Sequence, residues 1–369
     1  PPGGGGGPQR PVPRGRPEVS AATSHDLAAA DYRRLLLRRG AVLAGLTLLL
    51  VVALVCDVMT GPSRLPFADV FATILSPDGA TGPMRVIVWD VRLPYALMAV
   101  LVGAALALAG AEMQTVLNNP LASPFTLGVS SAASLGAALA IVLGRGVPWV
   151  PQEWLIPANA FVFAFASMLL LHFMSRLRGA GVDSLVLFGI ALVFAMNALV
   201  ALLQFVATEQ ALQQLVFWSM GSLARATWPK IGIMALALAV CVPFCARATW
   251  KLTALRLGED RARSFGVDSA ALRRGSLLRV SLLAAVSVAF VGTIGFVGLV
   301  GPHAARLMVG EDHRYFLPAS ALCGAVLLSL SSIASKMIVP GLLIPIGIVT
   351  ALIGVPVFVA LVFGRARAA

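Results

Sequence analysis

Long apolar stretches alternate with short polar stretches along this chain from residue 41 to residue 363. A helix that crosses a bilayer needs roughly 20 predominantly apolar residues. The pattern therefore predicts about ten crossing helices, with the limits 41–59, 94–115, 127–144, 155–174, 185–207, 229–246, 276–294, 296–309, 318–336 and 345–363.

One of these regions, residues 292–314, also contains glycines, a proline, histidines and charged side chains. Glycine and proline interrupt regular helix. Interrupted helix at membrane depth is tolerated only where protein or a water-filled path covers the freed backbone. We therefore expect this region to form part of a solute pathway.

Composition agrees with a membrane protein. Hydrophobic residues make up 59% of the chain and charged residues only 12%, whereas soluble domains carry about 25% charged residues. The net charge of +12 does not indicate nucleic acid, because the basic residues lie between the apolar stretches. With the basic cluster at 33–39 in the cytoplasm, 21 of the 28 basic residues fall on the inner side, as the positive-inside rule expects. Both termini are then predicted to be cytoplasmic.

Residues 1–32 are rich in proline and glycine, which predicts a disordered cytoplasmic tail ahead of a membrane domain at 33–369. No small-residue cleavage site clearly follows the first apolar run, so we expect a retained helix. All four cysteines lie in or beside apolar stretches. Cys241 and Cys245 share a helix face, but packing explains them better than a metal does, and no zinc-type cysteine cluster occurs.

A weak internal repeat is present at an offset of 182 residues. Its matched positions are Gly110, Pro120 and Gly128 in the first half and Gly292, Pro302 and Gly310 in the second. Opposed repeats of this kind are common in transporters, with the pathway between the halves. Chance remains the alternative for three matched positions.

The longest polar stretch on the predicted inner side is 247–279. Within it, Glu259 and Asp260 suit the first turn of a helix, where the helix dipole favours acids, and Gly266 suits its end, three turns later. The pattern predicts a small amphipathic helix on the cytoplasmic face. Composition alone leaves open a solvated loop, a helix on the lipid surface, and a docking surface for a partner.

The chain lacks the signature of an ATPase. No GxxxxGK[ST] sequence occurs, and the chain has only three lysines. We therefore expect this chain not to hydrolyse ATP. If it transports actively, the energy comes from a partner or from an ion gradient.

Six motifs occur between about residue 35 and residue 365: VRLPYALMAVLVGAALALAG (91–110), NNPLASPFTLGVSSAASLGA (118–137), LGEDRARSFGV (257–267), IGFVGLVGPHAARL (294–307), DHRYFLPASALCGA (312–325) and PIGIVTALIGVPVF (345–358). With these motifs the chain resembles the FecCD-type permeases of ABC importers for iron–siderophore, haem and cobalamin complexes. The resemblance implies an all-α membrane protein with the type II ABC importer permease fold and ten helices in each subunit.

The resemblance also implies partners. These are a second permease copy, two cytoplasmic ATPase subunits that carry ATP and magnesium, an extracytoplasmic substrate-binding protein, and the bilayer of the bacterial cytoplasmic membrane. Nucleic acid is not expected as a partner, and no cofactor or metal is expected on this chain itself. In this family the LGxxxAxxxG loop is the coupling helix that contacts the ATPase, and the matching residues here are Leu257, Gly258, Glu259, Ala262 and Gly266.

The family's docking arginines correspond only in part. The R-L-P-R motif is here Arg92-Leu93-Pro94-Tyr95, and a later arginine aligns with Lys336. The resemblance implies that Arg92 and Lys336 contact carboxylates of the binding protein. The alternative is that both are anchors at the membrane interface.

Polar residues within or beside the predicted helices are candidates for the pathway, because ionisable groups in such helices usually face a bundle interior or a cavity. These candidates are Glu112, Gln114, Asn118, Asn119, Asn197, His303 and Arg306. A buried hydrogen-bonded group is the alternative for Glu112. For His303 and Arg306, the alternative is a structural bond to the Gly-Pro break.

We interpret the chain as the permease of an ATP-driven importer of an iron chelate, with a siderophore as the first candidate. Haem and cobalamin complexes are the alternatives within the family. An ion-coupled secondary transporter, with Glu112 as the proton carrier, is the rival from another class. A metalloenzyme built on His303 is weakened because no further histidine or carboxylate is placed to complete a metal site.

Overall fold

The computed structural model describes residue 3 and residues 21–63, 65–174, 182–339 and 341–366. Every regular element in these ranges is helical. The α-helices, numbered along the chain, are α1 (Ala21–Met59), α2 (Phe67–Leu75), α3 (Gly82–Arg85), α4 (Leu93–Val116), α5 (Val129–Leu143), α6 (Gln152–Met174), α7 (Val182–Val206), α8 (Glu209–Ser219), α9 (Trp228–Leu255), α10 (Glu259–Ser264), α11 (Ser269–Val291), α12 (Val297–Val309), α13 (His313–Met337) and α14 (Ile346–Ala366).

The predicted all-α membrane architecture is confirmed. Within the described ranges, seven helices are long and apolar enough to cross a membrane. Three shorter apolar helices, α5, α12 and α14, lie at the other three predicted crossings. Each of the ten predicted crossings therefore coincides with an apolar helix in the described residues.

The limits of α9 and α11 differ from the prediction. Helix α9 continues to Leu255 and α11 already begins at Ser269, so the predicted loop 247–279 is mostly helix. Both helices continue into polar sequence beyond their apolar stretches. Long basic side chains allow this, because they can keep their charged ends in water at a membrane surface. Only a short segment, residues 256–268, joins the two helices.

The chain divides into two compact units, residues 1–41 and residues 42–369. Most of the tail predicted at 1–32 lies outside the described residues. From Ala21 onward the chain is helical and belongs to α1. The boundary predicted at residue 33 therefore does not coincide with the start of regular structure.

Segments before α4 and after α7 contain helices that the apolar pattern did not predict. Helix α2 packs its buried Val70 against Val88 and Ala96, and the indole of Trp89 donates to the carbonyl of Thr73 at 3.1 Å. A π-helical segment, Val86–Arg92, joins α3 to α4 without a break. Helix α8 is short and mixed in polarity, so it carries no crossing pattern.

The core forms where glycines let helices approach closely. Gly103 on α4 faces Gly324 on α13, and a Cβ atom on either would collide with the carbonyl oxygen of the other. A Cβ atom on Gly110 of α4 would collide with the carbonyl oxygen of Gly298 on α12. Small residues at such crossings permit backbone contact that larger side chains would block. Helix α4 is consequently the buried centre of the bundle.

The matched positions of the weak repeat lie in different local structures. Gly110 is inside α4, whereas Gly292 ends α11. Pro302 is inside α12, whereas Pro120 lies in the turn after α4. An offset of 182 residues therefore does not bring equivalent elements together, and an inverted repeat of the two halves stays a prediction.

Candidate coupling loop and solute pathway

The segment between α9 and α11 forms a compact turn around the six-residue helix α10. Gly258 precedes α10 with φ +104° and Gly266 follows it with φ +79°. These are left-handed conformations that side-chain-bearing residues rarely adopt. The carboxylate of Asp268 then caps α11 by accepting from the backbone N–H of Ala271 at 2.9 Å. The predicted short helix is confirmed, although it is shorter than the three turns expected.

Helix α10 has one buried side and a broad exposed side. Ala262 is fully buried, and its carbonyl accepts from the backbone N–H of Val267 at 3.0 Å. Leu257 and Phe265 flank the helix with 54% and 55% of their surface exposed. A polar helix flanked by exposed apolar side chains has the composition of a small contact surface.

Ion pairs connect α10 to the neighbouring helices. Glu259 forms a salt bridge with Arg273 on α11. The same guanidinium donates through Nε to the carbonyl of Val116, the last residue of α4, at 3.2 Å. A displacement of α10 would therefore pull on Arg273, which contacts the ends of both α11 and α4.

A second group of contacts links the end of α9 to the turn between α12 and α13. Arg256 donates to both carboxylate oxygens of Glu311, at 2.9 and 2.6 Å, and to the amide oxygen of Asn118 at 3.1 Å. Arg306 lies 3.2 Å from the same carboxylate and donates to Gln114 at 3.3 Å. We call these five residues the inner polar cluster.

The inner polar cluster brings together three predicted pathway candidates, Gln114, Asn118 and Arg306. The predictions did not include Arg256 or Glu311, because their pairing depends on contact between helices distant in sequence. The pKa of Glu311 lies below its ordinary value, chiefly because Arg256 donates a hydrogen bond to its carboxylate. Burial raises this pKa, whereas the nearby positive charges lower it further. The cluster thus holds an ionised carboxylate between two arginines.

A buried histidine adjoins this cluster. One ring nitrogen of His313 lies 2.8 Å from the hydroxyl of Thr115 on α4, and the other lies 3.1 Å from the hydroxyl of Thr253 on α9. Both ring nitrogens are therefore occupied by neutral partners, and α13 is tied to two helices at its first residue. The only sequence signal was a histidine at the start of an apolar stretch.

Glu112 is a buried member of an ion pair, and its role in a pathway stays a prediction. Its side chain is 1% exposed, and Arg279 on α11 donates to its two carboxylate oxygens at 2.8 to 3.1 Å. Burial of a carboxylate in an apolar bundle demands such a partner. The alternative of a buried group bonded to a neighbouring helix describes Glu112, with an ion pair in place of a neutral hydrogen bond.

The remaining pathway candidates are scattered. The side chain of Asn119 accepts from the backbone N–H of Leu121 at 2.9 Å and so shapes the turn after α4. Asn197 is exposed on α7, and His303 is half-buried on α12. The structure does not bring these three residues into one site.

Arg92 and Lys336 are both buried within the subunit, and their contact with a binding protein stays a prediction. Arg92 donates to the carbonyls of Val58, Met59 and Ser63 at 2.5 to 3.2 Å, where α1 ends. The last carbonyls of a helix need such donors.

Lys336 pairs with the carboxylate of Asp57 at 2.8 Å and lies over the ring of Tyr95. Asp57 is itself fully buried and also accepts from the hydroxyl of Ser332. A carboxylate within the first apolar stretch was a sequence signal for a buried partner, but it was not among the predicted site residues.

Three irregular segments meet at the end of α11 that lies away from α10. The backbone N–H of Ser222 donates to the carbonyl of Val291 at 2.6 Å, and that of Gly347 donates to Met220 at 3.1 Å. Phe296 has φ +66° between α11 and α12. These freed backbone groups pair with one another inside the protein, as the bilayer requires. The predicted break within 292–314 is confirmed.

A cavity of about 640 Å³ opens beside these segments. Its walls combine backbone of the irregular segments with apolar side chains of α14 and neighbouring elements, among them Phe125, Met220, Phe296, Ile348 and Leu352. Among the described residues, no carboxylate or basic side chain lines it. Such a wall offers a bulky ligand few strong contacts.

The fold and these broken helices define a multi-pass membrane protein built like a transporter. The profile of the FecCD transport family matches residues 48–364. The chain therefore belongs to the FecCD transport family, whose members are membrane permeases of ABC importers.

Relatives and solved structures agree with this assignment. An ABC transporter permease protein of Methanocaldococcus jannaschii is 37% identical over 75% of this chain and 82% of its own. The vitamin B12 import system permease protein BtuC of Salmonella typhi is 38% identical over 76% of this chain and 84% of its own. A metal-chelate type ABC transporter, solved in an inward-facing conformation, superimposes with a TM-score of 0.75 at 33% identity over 88% of this chain and 99% of that structure.

Proposed function

We propose that this chain is the permease subunit of an ATP-driven importer that moves a metal chelate, first of all an iron–siderophore complex, across the bacterial cytoplasmic membrane. The observation that carries the proposal is α10, an exposed turn tied through Glu259 and Arg273 to the ends of α11 and α4. Such a turn can pass the movement of a partner to the bundle core.

The assembly that fits this proposal contains a second permease copy, two ATPase subunits and an extracytoplasmic binding protein. ATP and magnesium belong to the ATPase subunits. Helix α10 then lies in the cytoplasm with both chain termini, as the distribution of basic residues predicts.

Transport requires two conformations that the nucleotide state of the ATPases stabilises differently, because a ligand with equal affinity for both states shifts nothing. Helix α10 and the inner polar cluster adjoin the ends of α4, α9 and α12, which are the elements that such a shift would move. The uncharged wall of the 640 Å³ cavity suits a cargo that has to be released.

Cobalamin is the second candidate cargo. The observation that favours it is the identity of 38% with BtuC of Salmonella typhi, which is named for vitamin B12 import. A ferric siderophore and a cobalamin are both bulky chelates, so the cavity wall does not separate them.

The test uses proteoliposomes that contain this chain with its ATPase and are supplied with the binding protein. Uptake of a labelled ferric siderophore should require ATP and should persist when a proton ionophore is added. Unlabelled cyanocobalamin should not compete. Competition by cyanocobalamin would transfer the proposal to the second cargo, and uptake driven by a proton gradient without ATP would support the rival, an ion-coupled secondary transporter.

A further inference from the structure

Helices α9 and α11 form a groove whose two ends differ in chemistry. Near α10, an opening of about 250 Å³ is lined by Arg247 and Lys251 from α9, by Asp268, which caps α11, and by Gly275 and Arg279 from α11. Farther along the same two helices, with α6 as a third wall, lies an apolar groove of about 390 Å³. We call the first part the basic end and the second part the apolar groove.

The two parts are continuous along each helix. On α9 the lining positions succeed one another at intervals of three and four residues, from Ile233, Leu236 and Val240 to Phe244, Arg247 and Lys251. Positions with this spacing share one helix face. On α11 the same spacing connects Gly275 and Arg279 to Leu282 and Val286. One seam between the helices therefore begins basic and becomes apolar.

One leaflet of a bilayer covers the basic end and the nearer part of the apolar groove. From Arg247 the helix advances by about 10 Å to Val240 and by about 16 Å to Leu236, at roughly 1.5 Å per residue. Half of a hydrocarbon core is about 15 Å thick. The basic end therefore lies at headgroup depth when the apolar groove lies among the acyl chains.

The charges at the basic end favour an anion. Arg279 is already paired with Glu112, and Asp268 accepts from the N–H of Ala271. Arg247 lies beside the ring of Phe244, and Lys251 is exposed. These two cations face the opening and exceed the single carboxylate that lines it.

Space at the basic end comes from Gly275. A Cβ atom there would meet only the guanidinium of Arg279, at 3.4 Å. A larger side chain would extend into the opening. The glycine thus leaves room for a headgroup between the two helices.

We propose that this seam binds one anionic phospholipid, with its phosphate between Arg247 and Lys251 and an acyl chain in the apolar groove between α6, α9 and α11. Basic pockets between membrane helices are known to bind such headgroups. A lipid uses both parts of the seam, whereas a free phosphate or a soluble partner has no use for the apolar part. The proposal does not depend on the cargo or on the transport mechanism.

The test uses the purified full-length chain, depleted of lipid in detergent and titrated in native mass spectrometry. The probes are phosphatidylglycerol and phosphatidylcholine with identical acyl chains. The unaltered chain should bind one phosphatidylglycerol in preference to phosphatidylcholine. In the double variant Arg247→Gln/Lys251→Gln, the affinity for phosphatidylglycerol should fall on the order of 20-fold. Each of the two basic residues contributes a similar share of the electrostatic attraction to the anionic headgroup, and the variant removes both shares.

Two further variants separate this site from general effects. Arg33→Gln/Arg34→Gln removes the same charge elsewhere and should keep the preference for phosphatidylglycerol. Gly275→Leu changes no charge, remains compatible with helix, and should weaken the binding of phosphatidylglycerol by filling the basic end.

Three results would overturn the proposal. The first is equal binding of the two lipids to the unaltered chain. The second is an unchanged affinity for phosphatidylglycerol in both seam variants. The third is displacement of the lipid by inorganic phosphate at millimolar concentration, which would show that the apolar groove contributes nothing.

Discussion

Arg279 on α11 donates from Nε and Nη2 to both carboxylate oxygens of Glu112 on α4, across 167 positions of sequence. The Glu112 side chain is 1% exposed and that of Arg279 is 14% exposed. The pair therefore joins two of the most buried helices of the bundle.

Replacement of one member of this pair should destabilise the protein. In Glu112→Ala, Arg279 keeps its charge without a partner, and the loss of an ion partner in a buried pair costs about 3 to 5 kcal/mol. We expect a clear fall of the apparent melting temperature in detergent. The double variant Glu112→Leu/Arg279→Met should recover part of that loss. A Glu112→Gln variant that melts normally but no longer transports would support a role of Glu112 in the pathway.

Substitution of Lys336 should act on stability rather than on docking. Lys336→Met leaves the buried carboxylate of Asp57 without its cation, with an expected cost of about 3 kcal/mol. Thermal unfolding measures this effect. Arg85→Gln, which removes an exposed arginine, is the matched control and should melt like the unaltered chain. Unchanged stability of Lys336→Met, combined with weaker attachment of a binding protein, would support the docking role.

Arg92 should tolerate lysine poorly. Its guanidinium spans the carbonyls of Val58, Met59 and Ser63 with two nitrogen atoms. A lysine ammonium is a compact charge without this planar fork. We expect Arg92→Lys to lower the melting temperature, while Arg85→Lys leaves it unchanged. Equal melting of both variants would show that the contacts at the end of α1 contribute little.

The turn around α10 should be sensitive to side chains at its glycines and to charge at Glu259. Gly258→Val strains a residue with φ +104°, at a cost of roughly 1 to 3 kcal/mol. Glu259→Arg places a like charge against Arg273. ATP-driven uptake should be abolished in the combined variant, while membrane insertion persists. Gly232→Val, at a position with open space inside α9, is the control. Normal uptake by the combined variant would refute the coupling role.

Acid should weaken the inner polar cluster. The pKa of Glu311 is lowered chiefly by the hydrogen bond from Arg256, so the folded protein binds a proton at Glu311 less readily than the unfolded chain does. The stabilisation is complete above the ordinary pKa of 4.5 and is lost as the pH falls through the lowered value. Melting temperatures of the unaltered chain should therefore decline more steeply below pH 4.5 than those of Glu311→Gln. Parallel curves would argue against this ion pair.

The hydrophobic pattern was sufficient to place the crossing helices. Helical hydrogen bonds are local, and the thickness of the bilayer sets the length of each apolar stretch. The turn at Gly258 and Gly266 was equally predictable, because glycine favours left-handed backbone independently of distant contacts. The extension of α9 to Leu255 was not predictable, because polar helix outside the membrane resembles a loop in its composition.

What the sequence alone determined is thus the number, order and apolar character of the crossing helices, together with the position of α10. Only the tertiary structure decided which charges meet, as for Glu112 with Arg279. Asp57 and Lys336 form a second such pair, although they lie 279 positions apart in the sequence. The same polar residue within an apolar stretch can face a cavity, a lipid or a buried partner. The packing of helices distant in sequence selects among these environments, since a buried charge is stable only beside its counterpart.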